Sequence, residues 1–95
     1  PHMGWGRLQI DRPSPLLPDP SSKEWMYFVH SFAAEPHEEQ DRAASVEFGS
    51  GHATAVVWHK RLGACQFHPE KSALTGERLL SRWLEWLQQG APLMP

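Results

Sequence analysis

The sequence predicts an α+β fold: a mixed, mainly antiparallel sheet with one C-terminal covering helix. Two observations carry this reading. Several short runs rich in aromatic and β-branched residues are separated by glycine- or proline-marked turns, and a single segment, residues 73–89, spaces its apolar residues helically. With 95 residues the chain can form one small domain, because a chain of this size buries only about two-thirds of its unfolded surface. An apolar content of 40%, with five Trp and four Phe, supplies a packed core and argues against disorder.

The elements follow in order. Trp5 to Ile10 is a short strand-like stretch that ends at residues 11–24, where Pro13, Pro15, Pro18 and Pro20 fix φ, remove amide donors and so make a loop. "WMYFVHSF", residues 25–32, is apolar at nearly every position and reads as a strand covered on both faces. Residues 33–44 are polar and charged, and read as a solvated loop or short helical turn. "SVEFGSGHATAVVWHK" holds two β-type runs around Gly49-Ser50-Gly51, a hairpin signal. A second turn at Lys60 to Gly63 leads into "ACQFH", read as the last strand. In the helix, Leu79, Leu80, Trp83, Leu84, Trp86 and Leu87 form the apolar face expected to be core, with Glu77, Arg78, Arg82 and Glu85 off it. Ser72 is the expected N-cap, and Gly90 the stop.

Nine Lys plus Arg against eleven Asp plus Glu give a charge of −2, without the cationic field that nucleic-acid binding requires. One Cys cannot form an internal disulfide, and no stretch resembles a signal peptide or a membrane span. No nucleic acid, no membrane, no cofactor and a cytoplasmic setting are therefore expected. His52, His59, Cys65 and His68 lack the paired spacing of a structural zinc site, so no metal is expected either.

The octet "CQFHPEKS", residues 65–72, concentrates chemistry. A thiol nucleophile needs an imidazole within hydrogen-bond reach, but on a strand Cys65 and His68 point to opposite faces, so Cys65 reads as a buried residue. His68 and Glu70, two positions apart in extended geometry, project together. The pair reads either as a structural His-Pro-Glu turn or as base and orienting carboxylate, two-thirds of a triad.

"QFHPEKS" before a helix, "YFVHSF" upstream and "PHMGWG" at the start together resemble the C-terminal half of the class I glutamine amidotransferases, and within that class the glutaminase subunits of imidazole glycerol phosphate synthase. The resemblance implies glutamine hydrolysis by a Cys-His-Glu triad, with ammonia passed to a cyclase subunit in histidine biosynthesis. It assigns His68 and Glu70 as catalytic, Ser31 and Phe32 as substrate-binding, and Gly4, Trp5 and Tyr27 as facing the cyclase. It also implies that residues 1–95 are one partial domain of a larger α/β fold, and that Pro1-His2-Met3 is native. The family's G-x-C-x-G nucleophile elbow and oxyanion-hole glycines are absent from this sequence, and Gly6 stands where the family usually has Asn. The chain alone is therefore expected to be inactive. The competing expectation is a non-catalytic remnant whose exposed edges make it a homodimer or strand-swapped oligomer.

Overall fold

The computed structural model describes residues 2–30 and 35–94. Strands β1 (His2–Ile10), β2 (Trp25–His30), β3 (Arg42–Phe48), β4 (Gly51–His59) and β5 (Leu62–Cys65) form one curled sheet in the order β2-β1-β3-β4-β5. Every ladder is antiparallel. Local turn chemistry explains much of this connectivity. Gly49, at φ +62°, opens the two-residue turn between the paired Phe48 and Gly51, and Lys60, at φ +59°, does the same between His59 and Leu62. The charged stretch before β3 contains a 3₁₀ turn, Glu39–Asp41.

The core lies on the inner side of the curl, where Leu8, Met26, Phe28, Val46, Val56 and Phe67 are buried together. The proline-rich loop joins them. Leu16 and Leu17 are almost fully buried, and Ser14 turns the backbone inward by accepting the Leu16 N–H at 3.1 Å.

Helix α1 (Ala73–Gln88) crosses this assembly from β2 to β4, with Trp86 packed edge-on to Trp58 at 5.1 Å. Its inward stripe is Thr75, Leu79, Arg82 and Trp86, which differs from the apolar face expected from the sequence. Leu80, Trp83, Leu84 and Leu87 are instead 40–52% exposed. The reason lies in Glu24, whose side chain is only 8% exposed and is paired to Arg82 at 2.8 Å, with Arg78 at 4.0 Å. Arg82 also donates to the Leu16 carbonyl at 2.7 Å. Rotating α1 to bury all its leucines would strand this carboxylate. Arg82→Ala is accordingly expected to cost about 2–3 kcal/mol in urea unfolding, somewhat less than a fully buried pair because Arg82 is partly hydrated. A loss under about 0.5 kcal/mol would mean the pair is a surface contact.

β2 departs from the expected strand covered on both faces. It lies at one end of the sheet and alternates: Met26 and Phe28 are fully buried, whereas Trp25 and Val29 are 51% and 40% exposed. Its outer edge is covered in part by the segment after β5. His68 donates its N–H to the Tyr27 carbonyl at 3.0 Å, and Tyr27 donates its own N–H to the Ser72 Oγ at 2.8 Å. Among the described residues, no helix is long and apolar enough to cross a membrane.

Candidate active site

The chain leaves β5 still pinned to the sheet by the Gln66 N–H on the Ala55 carbonyl, 2.8 Å. Phe67 is then buried edge-on against Phe28, with centroids 5.6 Å apart. This aromatic anchor fixes the backbone immediately before His68. Pro69, with its φ preset, opens a 3₁₀ turn, Pro69–Lys71, closed by the Lys71 N–H on the His68 carbonyl at 3.0 Å.

His68 and Glu70 meet across this turn, Nδ1 to Oε2 at 3.3 Å. The contact does not come from two extended residues projecting alike, as the spacing suggested; His68 is extended, but Glu70 reaches back from within the turn. A carboxylate on Nδ1 selects the tautomer with the proton there and leaves Nε2 as the free basic nitrogen. Glu70 is held below its ordinary carboxylate range by its own backbone amide first and by the His68 hydrogen bond second. It stays ionised at neutral pH, as an orienting group must. The side chains are 38% and 62% exposed, so the pair stands on the surface of the described residues.

Ser72, Thr75 and Gly76 build the pedestal under this turn. Ser72, read as an N-cap, makes no capping bond; its hydroxyl is wholly buried and points back under the turn. Thr75 Oγ1 lies 2.8 Å from the Ser72 carbonyl and also reaches the carbonyl of Trp25. Gly76 is buried where α1 passes beneath Pro69, and a Cβ there would fall 1.9 Å from the Pro69 carbonyl oxygen. A glycine inside a helical pattern was the available signal for this close approach.

Cys65 does not join the site. Burial pushes its thiol up to about 11, which disfavours the nucleophilic thiolate. It lines a separate cavity of about 70 Å³ with Thr54, Ala55, Val57, Ala64 and Gln66. Among the described residues no group of His, Cys, Asp and Glu is arranged to hold a metal ion. Ser31 and Phe32 lie outside the described residues.

Trp5 and Tyr27 gather on the opposite, outward side of the β1–β2 ladder, whereas Gly4, expected beside them, is the partner of the fully buried Phe28 and falls on the core side because successive strand residues alternate faces. Trp5 and Tyr27 are register partners with rings edge-to-face at 5.8 Å. Beside them Trp5, Arg7, Gln9, Trp25 and Glu47 frame a groove of about 310 Å³ floored by Gly6 and Val46. A Cβ on Gly6 would come 2.5 Å from Val46 Cγ2, so glycine at this position matches the valine below it.

No family model matches the chain. It is 56% identical over 95 residues to imidazole glycerol phosphate synthase subunit HisH 2 of Prochlorococcus marinus strain MIT 9313, covering 100% of this chain and 45% of that one. Against HisH 2 of Parasynechococcus marenigrum strain WH8102 it is 54% identical over 93 residues, 98% of this chain and 44% of the relative. HisH of Synechococcus sp. strain CC9605 is 55% identical over 95 residues, with 100% and 45% covered. The chain thus spans less than half the length of the curated relatives it matches. Identity of this degree along its whole length makes the chain a homologue of the C-terminal half of the HisH subunit.

Proposed function

We propose that this chain supplies the base and the orienting carboxylate, His68 and Glu70, to a glutamine amidotransferase of imidazole glycerol phosphate synthesis. The observation that carries the reading is the Nδ1-to-carboxylate contact at 3.3 Å, which leaves Nε2 free on the surface. In the reaction a cysteine from the segment of the domain not spanned here attacks the glutamine amide carbon. His68 Nε2 takes the thiol proton and delivers it to the departing nitrogen as the C–N bond breaks, giving ammonia and a thioester that water cleaves to glutamate. The Trp5–Tyr27 face is the surface for the cyclase subunit, supported by exposed aromatic rings gathered on one strand pair.

Residues 1–95 are then one partial domain, inactive alone. The outward stripe Leu80, Trp83, Leu84 and Leu87 supports this, because so much apolar helix surface requires a cover. The same stripe supports the second reading, a non-catalytic remnant that covers it with a second copy as a homodimer or strand-swapped oligomer.

Mixing the chain with the N-terminal segment of a HisH relative separates these readings. The expected result is a one-to-one complex by light scattering that releases glutamate from glutamine, with neither part active alone. Glutamine hydrolysis by the isolated chain, or a homodimer that the segment does not dissociate, would count against the catalytic proposal.

A further inference from the structure

The backbone of His68 is clamped at both ends, and the clamp runs through one hydroxyl. The Tyr27 N–H donates to Ser72 Oγ at 2.8 Å, Ser72 Oγ donates to the His68 carbonyl at 2.6 Å, and the His68 N–H donates to the Tyr27 carbonyl at 3.0 Å. The three bonds close a ring between the peptide of a sheet strand and the peptide of His68. Only a group that accepts and donates at once can occupy the Ser72 position in that ring, which is what a hydroxyl does. Ser72 is fully buried, so bulk solvent does not compete for these bonds. We propose that Ser72 is the positioning residue of the His68–Glu70 pair, fixing the imidazole against the carboxylate through the backbone of His68 and not by touching either side chain.

The chain conformation around Ser72 agrees. Ala73 adopts φ +52°, a left-handed conformation that costs a non-glycine residue about 1–2 kcal/mol, and there the path from turn to helix changes direction. That change turns the Ser72 hydroxyl away from the amides of α1, which it does not cap, and toward Tyr27 and His68.

The consequence for turnover rests on the catalytic reading above; the geometric claim does not, and it is tested on the chain itself. The probe is the Glu70 carboxylate, followed by ¹³C NMR through acid pH, because its lowered titration depends on its own amide within the turn and on His68, with Lys71 also contributing. In Ser72→Ala the Glu70 midpoint is expected to rise toward the ordinary carboxylate range. Ser72→Cys, a weaker donor and acceptor of similar size, is expected to fall between, and it decides the matter if the alanine variant does not fold. Arg82→Ala weakens α1 from its far side and is expected to leave the midpoint in place. An unmoved midpoint in a folded Ser72 variant, or an equal shift in Arg82→Ala, would overturn the proposal. In the two-part assembly, Ser72→Ala is expected to lower kcat about tenfold with KM unchanged. If the Glu70 shift appears but His68→Ala stays active, the catalytic reading fails and the positioning role stands.

Discussion

His68→Ala, in the assembly of this chain with a HisH N-terminal segment, is expected to lower glutamine turnover by about 10³-fold or more. A positioned general base contributes about 10²–10⁴-fold by itself, and in the role proposed for it His68 would also protonate the leaving nitrogen. Stability should hardly change. The substitution removes a partly exposed ring paired with Glu70, while the backbone bonds of residue 68 to Tyr27, Lys71 and Ser72 remain. The unfolding midpoint is therefore expected to move by no more than about 0.5 kcal/mol equivalent. Glu70→Gln should cost less, because it keeps a hydrogen-bond acceptor near Nδ1 but loses the charge that stabilises the imidazolium. The pH sign follows from the depressed Glu70: its contribution is complete above the ordinary carboxylate range and disappears as pH falls through the lowered value. On an exposed group this is read in activity. A His68→Ala variant with wild-type turnover would remove the catalytic role altogether.

Gly76→Ala is expected to destabilise the chain by about 3 kcal/mol, opposite in sign to the usual effect of that replacement. At an ordinary interior helix position, alanine is favoured over glycine by about 1 kcal/mol. Here the new methyl would sit 1.9 Å from the Pro69 carbonyl oxygen, 2.8 Å from its carbon and 3.0 Å from Ser72 Cβ. Two of those atoms are backbone and cannot rotate aside, so α1 must move off the turn that carries Glu70, an overpacking cost at the upper end of its usual range. Urea unfolding is expected to show a lower midpoint with the same slope. A neutral or stabilised variant would show that the helix can slide without disturbing the turn.

Some of this architecture was legible because its causes are local. Gly49-Ser50 and Lys60-Arg61 make two-residue turns from chemistry contained in a few residues, and the strands on either side pair as those turns require. His68, Pro69 and Glu70 could be singled out because a ring, a turn-former and a carboxylate at that spacing have few arrangements. Other features depended on which surface each element met. The helical spacing of α1 gave one broad apolar face, but the buried Glu24 selected the stripe through Arg82 and left Leu80, Trp83, Leu84 and Leu87 outside.

By itself, then, the sequence determined the kinds of element, the turns between them and the residue types brought to the His68 turn, because backbone φ preferences and side-chain spacing act over a few positions. Tertiary structure alone decided that β2 lies at the end of the sheet, that α1 turns Arg82 inward, and that Ser72 clamps His68 instead of capping the helix. Each of those outcomes pairs groups far apart in the chain, Glu24 with Arg82 and Tyr27 with Ser72, and no local preference encodes a partner about fifty residues away.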